Sequence, residues 1–195
     1  MTYKRKVGVL GGSFDPPHFG HLGIAEHVAN SRQLDEILFV VSHIQWQKTA
    51  VRAMVDSYHR LAMVDLMVSD DKRFLASSIE IEHGGDSVTV ETLESLRTLD
   101  PTADYELIIG SDIASRLSTW RRSEDLEKFA EIVVVARPGF KIERSHESFN
   151  FVTVGGPNLD ISSEKIRMAV NQGVPIGHLV PKKVEEYIRQ EGLYR

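Results

Sequence analysis

Short apolar runs alternate with amphipathic stretches along the whole chain. The apolar runs are rich in β-branched residues, as strands buried on both faces are, and they predict strands over residues 7–10, 36–41, 74–82, 105–109, 131–136 and 149–154. Apolar residues at helical spacing between them predict helices over residues 20–31, 57–69, 88–99, 123–129, 163–171 and 181–190. This alternation indicates a parallel sheet with right-handed crossovers.

The predicted fold class is α/β. We expect a Rossmann-like, doubly wound parallel sheet in a single domain over residues 1–195, with helices at its C-terminus. In such sheets, ligands bind beyond the carboxyl ends of the strands. The loops that follow the strands are therefore the segments in which chemistry is expected.

Composition narrows the functional classes. The chain has 195 residues, 42% of them hydrophobic and 26% charged, which is ordinary for a globular protein. A net charge of -5 disfavours a nucleic-acid partner but not a small phosphorylated ligand. The absence of cysteine excludes disulfides and thiol catalysis. Because neither a signal peptide nor a membrane-spanning apolar run is present, the sequence predicts a cytoplasmic protein, and it leaves the oligomeric state, homo-oligomers included, open.

The loop after the first strand has the composition of a phosphate site. Gly11 and Gly12 end the strand, Ser13 and Phe14 follow, and a helix is predicted to begin near Gly20. Glycines allow the backbone to approach an anion closely, and the first N–H groups of a helix point toward it.

Two histidines, His18 and His21, stand at the start of that helix. An imidazole donates hydrogen bonds to phosphate oxygens and carries positive charge when protonated. His-x-x-His spacing also suits zinc, but cysteine is absent and no acidic cluster lies nearby to complete the ligand set, so no metal site is predicted.

Later loops carry further candidates. Lys48 follows the second strand and Arg137 the fifth; each has an ordinary explanation as a surface residue, but the position after a strand favours a phosphate contact. Thr89 lies at the glycine turn after the third strand, where backbone N–H groups would face a substrate. Asp112 is placed either to cap a helix or to accept from ribose hydroxyls, and Trp120, among polar residues, is suited to stack on a flat heteroaromatic ring.

A second anion site is predicted near the C-terminus. Ser162 and Ser163 stand at the start of a helix, and Arg167 follows one turn later. The alternative is a simple capping serine with a solvated arginine.

Two stretches resemble the signatures of nucleotidyltransferases. Residues 11–21 match Gly-Gly-x-Phe-Asp-Pro-x-His-x-Gly-His at every fixed position, and residues 161–167 match Ile-Ser-Ser-Thr-x-Ile-Arg except that Glu164 replaces the threonine. The middle loops and the C-terminal tail are similar to those of bacterial nicotinate mononucleotide adenylyltransferases, so the resemblance covers nearly the whole chain.

The resemblance implies a reaction and a set of roles. ATP and nicotinate mononucleotide would give deamido-NAD and pyrophosphate, with Mg²⁺ carried by the phosphates of ATP. The implied catalytic residues are His18, His21, Lys48 and Arg167. The implied ATP-binding residues are Gly11, Gly12, Ser13, Phe14, Gly110, Asp112, Ser162 and Ser163, and the implied acceptor-binding residues are Thr89, Trp120 and Arg137.

Some positions depart from that family. Val41 and Gln45 each stand where the family usually has proline, and Val88 replaces a tyrosine. These departures leave open a transfer of an adenylyl or cytidylyl group to another acceptor, such as nicotinamide mononucleotide or phosphopantetheine. A non-catalytic nucleotide sensor is the other alternative, against which the intact histidines, Lys48 and Arg167 argue.

Overall fold

The computed structural model describes residues 4–44, 54–136, 149–157 and 159–195. Its strands form one sheet in which all neighbouring pairs are parallel, in the order β3-β2-β1-β4-β5-β6. The strands are β1 (Lys6–Gly12), β2 (Glu36–Val41), β3 (Phe74–Ser77), β4 (Asp104–Gly110), β5 (Glu131–Ala136) and β6 (Phe151–Gly155). The predicted doubly wound parallel α/β fold is confirmed.

Helices connect the strands and complete the C-terminal part. They are α1 (Phe19–Arg32), α2 (Ser57–Val68), α3 (Ile79–His83), α4 (Thr89–Leu99), α5 (Ser111–Ala114), α6 (Ser163–Asn171) and α7 (Lys182–Gln190). Short 3-10 helices cover Leu117–Thr119 and Ser123–Lys128. Within the described ranges, none of these helices is long and apolar enough to cross a bilayer.

The sheet separates two apolar cores, because successive strand residues face opposite sides. On one side, Phe39 and Val133 pack among residues of α1, α2, α6 and α7. On the other side, Val9 and Leu107 pack among residues of α4, α5 and the 3-10 helices. The burial of both faces explains the continuous apolar runs from which the strands were predicted.

The predicted third strand, over residues 74–82, was wrong in its second half. The strand ends at Ser77, which is the last residue of β3 paired with β2, and Ile79–His83 form α3 instead. The turn of helix buries Ile81 and directs Glu80 toward α4, where Thr92 donates to its carboxylate.

Other boundaries moved less. The predicted helix over residues 123–129 is a 3-10 helix, and the strand predicted from residue 149 begins at Phe151. Pro181 is the N-cap residue of α7, and the helix itself begins at Lys182 and not at Pro181. The short helix α5 and the 3-10 turn before Trp120 were not predicted.

Candidate active site

The buried ring of Phe14 supports the turn between β1 and α1. Phe14 has a φ of 47°, is 1% exposed, and packs its ring against Phe39 and edge-on against His21. A Cβ on Gly12 would lie 3.0 Å from the Phe14 ring, so only glycine fits there without a shift. The buried ring thus fixes the turn, and the side chain of Phe14 serves packing.

His18 and His21 form a reciprocal cap on α1. The Nδ1 atom of His18 accepts from the N–H of Gly20 at 3.1 Å, and the Nδ1 atom of His21 accepts from the N–H of His18 at 3.2 Å. The rings stack with 3.7 Å between centroids. An imidazole that accepts through Nδ1 is, when neutral, protonated on Nε2. Both rings are therefore set as Nε2–H donors beside the helix N-terminus, which is the chemistry that an anion needs.

The stacked pair also explains the glycine between the histidines. A Cβ on Gly20 would lie 2.9 Å from the His18 ring. Because His18 is 6% exposed and hydrogen bonded to the Gly20 N–H, the ring has little room to move aside. The His-x-Gly-His spacing is thus a packing requirement of the cap.

The second predicted anion site docks on the first. The Ser163 hydroxyl donates to the carbonyl of Pro16 at 2.8 Å, and Arg167 Nη1 donates to the carbonyl of Asp15 at 2.7 Å. Ser162 caps α6 by accepting the N–H of Lys165. The two segments, far apart in sequence, therefore meet at one place, with the N-termini of α1 and α6 on the same side of the sheet.

The C-terminal segment reaches the same place. The hydroxyl of Tyr194 donates to Oδ1 of Asp15 at 2.6 Å, and Asp15 is 0% exposed. Asp15 is thus held through its carboxyl group by Tyr194 and through its carbonyl by Arg167. Sequence reasoning found the similarity of this tail to its family but not the contact.

Arg60 is a buried arginine that was not predicted to contribute to the site. It is 1% exposed, and its guanidinium donates to the carbonyls of Val55, Ser13 and His43 at 2.8, 2.7 and 3.1 Å. A signal was available, because Arg60 lies four residues before Val64 and therefore on the buried face of α2.

The acceptor-side loop, residues 84–89 between α3 and the start of α4, is hydrogen bonded to the segment after β2. The N–H of His43 donates to the Ser87 hydroxyl, the N–H of Ser87 donates to the carbonyl of Ile44, and each bond measures 2.9 Å. Thr89 follows as the first residue of α4. Val88, the departure from the family tyrosine, is buried in the apolar core instead of facing a ligand.

The carboxyl group of Glu80 contacts the acceptor-side loop and α4. Thr92 donates to it at 2.6 Å, and Ser87 is a second hydroxyl partner. Burial raises the pKa of Glu80, while the hydroxyl donors and the charge of Arg60 act in the opposite direction.

Asp112 and Trp120 both follow β4 in the chain. Gly110 precedes α5 and Asp112 is in its first turn, while Trp120 follows the 3-10 turn and is half-buried. Arg121, which follows Trp120, forms an ion pair with Asp86 at 2.8 Å, and this pair joins the segment that carries Trp120 to the acceptor-side loop. The predicted ribose and ring-stacking residues are therefore on the same edge of the sheet as the two signatures.

Comparisons with known proteins fit this arrangement. Residues 9–169 match the family model described as cytidylyltransferase-like. The chain is 36% identical to the Herpetosiphon aurantiacus protein named "Probable nicotinate-nucleotide adenylyltransferase", over 97% of this chain and 98% of that one. A protein of the same name from Leifsonia xyli subsp. xyli is 38% identical, with coverage of 97% and 94%. The chain belongs to the nicotinate-nucleotide adenylyltransferases of the cytidylyltransferase-like family.

The fold comparison agrees with this family. The structure of Plasmodium falciparum nicotinic acid mononucleotide adenylyltransferase complexed with NaAD superposes with a TM-score of 0.82 at 21% identity, and covers 97% of both chains. The described part of the candidate phosphate site contains hydrogen-bond donors: two imidazoles, the N-termini of α1 and α6, and Arg167. Across the described ranges, no group of three or more His, Asp or Glu residues could hold a metal ion. Lys48 and Arg137 lie outside the described residues.

Proposed function

We propose that the protein joins ATP to nicotinate mononucleotide and releases deamido-NAD and pyrophosphate, a step in NAD synthesis that we expect to take place in the cytoplasm. The observation that carries the proposal is the meeting of the two signatures, in which Arg167 and Ser163 bind the carbonyls of Asp15 and Pro16 beside the His18–His21 pair. The names of the relatives support this choice of substrates, as does the NaAD in the solved Plasmodium complex.

The reaction needs no covalent intermediate. An oxygen of the acceptor 5′-phosphate attacks the α-phosphorus of ATP in line, and the bond between that phosphorus and the bridging oxygen of pyrophosphate breaks. Catalysis by positioning and charge stabilisation is typical of such displacements. The Nε2–H groups of His18 and His21 donate to the triphosphate and stabilise charge at the α-phosphate, and Lys48 and Arg167 neutralise the departing pyrophosphate.

The nucleotide half of the site is assigned to the β1–α1 turn and to α6. Gly11, Gly12 and Ser13 line the cradle, with the backbone of Phe14, while Gly110 and Asp112 receive the ribose. The Ser163 hydroxyl donates to Pro16, whereas the Ser162 hydroxyl accepts from the Lys165 N–H and keeps its own O–H as a donor. The proposed donors to phosphate are therefore the Ser162 hydroxyl and the backbone N–H groups of the first turn of α6. Mg²⁺, which prefers oxygen ligands and retains water, would be carried in by the phosphates and supplies charge neutralisation there.

The acceptor half is assigned to Thr89, Trp120 and Arg137. The indole of Trp120 is proposed to stack on the pyridine ring, with backbone N–H groups near Trp120 at the carboxylate of that ring, and Thr89 is proposed to face the acceptor. The ion pair of Arg121 with Asp86 supports this assignment because it joins the loops that carry Trp120 and Thr89.

The test is pyrophosphate release from ATP and Mg²⁺ with nicotinate mononucleotide, nicotinamide mononucleotide and phosphopantetheine in parallel. Preference for the nicotinate substrate is the expected result. Preference for another acceptor would contradict the proposed acceptor. ATP binding without pyrophosphate release in the presence of any of these acceptors would instead support the sensor alternative.

A further inference from the structure

Arg60 binds three separate segments of the chain from inside the protein. Its Nε, Nη1 and Nη2 atoms donate to the carbonyls of Val55, Ser13 and His43, respectively. Val55 precedes α2, Ser13 lies in the β1–α1 turn, and His43 follows β2. One side chain thus fixes the positions of three backbone segments relative to one another.

The contact continues from His43 to the acceptor-side loop. The carbonyl of His43 accepts from Arg60, while its N–H donates to the hydroxyl of Ser87 at 2.9 Å. Ser87 in turn donates its N–H to Ile44, and Ile44 and Asp86 form a parallel bridge. Direct hydrogen bonds therefore lead from Ser13, in the nucleotide cradle, through Arg60 and His43 to Ser87, two residues before Thr89.

An apolar side chain would fill this position at a lower desolvation cost. A guanidinium at 1% exposure has lost its hydration, and such a loss is tolerated only where hydrogen bonds and charge compensate for it. Here three carbonyls accept, and the charge of Arg60 interacts with the carboxyl group of Glu80 under the acceptor-side loop. The presence of an arginine at this position is therefore explained by its three carbonyl acceptors and by the Glu80 carboxyl group, and not by apolar packing.

We infer that Arg60 is a positioning residue that sets the distance between the nucleotide half and the acceptor half of the site. This inference rests on the proposed function, in which Ser13 belongs to the cradle for ATP and Thr89 to the acceptor loop. In-line displacement depends steeply on the separation of the reacting atoms, and a misplacement of about 1 Å can lower the rate about 10²-fold. Loss of Arg60 should therefore lower kcat more than it weakens the binding of ATP alone.

The test compares Arg60→Met and Arg60→Lys with Arg97→Met. Arg97 is a matched control because, like Arg60, it donates to backbone carbonyls. Its two acceptors, the carbonyls of Ala103 and Phe129, lie at the opposite end of the sheet. Lysine keeps the charge of Arg60 but lacks the planar fork that bridges several acceptors. We expect both Arg60 variants to lower kcat by about tenfold or more while the KM for ATP changes by less than about threefold. Arg97→Met should leave kcat unchanged.

Ser87→Ala guards against a failure of the Arg60 variants to fold. It removes the hydroxyl that His43 uses and should lower kcat in the same direction. The inference is overturned if a folded Arg60→Lys keeps kcat within about twofold of wild type, if Arg97→Met loses as much, or, where neither Arg60 variant folds, if Ser87→Ala keeps the wild-type kcat.

Hydrogen exchange separates this inference from the proposed function. In Arg60→Lys the amide of Ser87, which donates to Ile44, should exchange faster than in wild type and in Arg97→Met. A wild-type protein that releases no pyrophosphate would refute the proposed reaction, and the exchange rate of Ser87 would still decide the coupling. Unchanged exchange at Ser87 in Arg60→Lys would overturn it.

Discussion

The imidazole rings of His18 and His21 are stacked, and the backbone N–H of His18 donates to Nδ1 of His21 while Nδ1 of His18 caps Gly20. One edge of each ring is thus used for structure, and Nε2 is the nitrogen to which the proposed reaction assigns the contact with phosphate. This division of roles can be tested, because asparagine places an acceptor where Nδ1 of histidine lies but has no counterpart of Nε2.

We predict that His18→Asn keeps the helix cap and loses catalysis. Its free energy of unfolding should stay near that of wild type, while His18→Ala should lose about 1 kcal/mol, the usual value of a helix N-cap. Both variants should lower kcat by about 10²-fold or more, because each removes a donor at the charge that develops on the α-phosphate. Urea unfolding and pyrophosphate release measure the two effects. Near-normal turnover in His18→Asn would contradict the role of Nε2.

Tyr194→Phe should weaken both the fold and the reaction. The substitution removes the donor to the buried carboxyl of Asp15, which we expect to cost about 1–3 kcal/mol in the free energy of unfolding. Because Arg167 binds the carbonyl of the same residue, kcat should fall as well. Tyr187→Phe is the control: it removes a hydroxyl partner of His59 between α2 and α7 and should leave kcat unchanged. Equal turnover in the two variants would separate Tyr194 from the site.

Glu80 should make the protein less stable as the pH rises. Burial raises the pKa of its carboxyl, with Arg60 and His83 as opposing charges and Asp86 and Glu91 as the acids beside it. Between the pKa of the unfolded chain, about 4.3, and the raised pKa of the folded one, the folded chain holds a proton that the unfolded chain has released. The contribution of Glu80 to stability is therefore fully present below the unfolded pKa and is lost as the pH rises through the folded pKa.

Glu80→Gln removes this titration. Its free energy of unfolding, measured in urea relative to wild type, should rise as the pH increases from about 4 through the raised pKa of Glu80. Relative to wild type, Glu94→Gln should show the opposite trend, and below about pH 4, since Arg122 lowers the pKa of Glu94 and stabilises the ionised form. A flat difference for Glu80→Gln would contradict the burial effect.

Glu164 should weaken the binding of ATP. The residue is exposed in the first turn of α6, where its charge stabilises the helix dipole but stands at the proposed phosphate site. We expect Glu164→Gln to lower the KM for ATP about twofold to tenfold and to cost less than about 1 kcal/mol of stability. Glu185→Gln makes the same change in the first turn of α7 and should leave the KM alone. A KM that rises in Glu164→Gln would oppose this assignment.

The sequence predicted best what depends on near neighbours. The strand, the glycine pair and the histidine cap all lie within residues 6–21, so their chemistry could be inferred from one stretch. Arg60 and Tyr194 act on carbonyl and carboxyl groups far away in the chain, and no periodicity says which acceptor a buried donor will reach. The strand prediction for residues 79–82 was wrong for another reason. The sequence Ile-Glu-Ile-Glu alternates as a strand does, but the pairing of β3 with β2 ends at Ser77, so these residues have no neighbouring strand to pair with.

The contact between Asp15 and Tyr194 has a consequence for protein synthesis. The two residues are 179 positions apart, so a ribosome makes the nucleotide-facing turn early and the side chain that holds it very late. A nascent chain can form β1, β2 and β4 in the central part of the sheet while Asp15 still lacks its tyrosine partner. The growing chain should therefore reach its full activity on ATP only after residue 194 has been added.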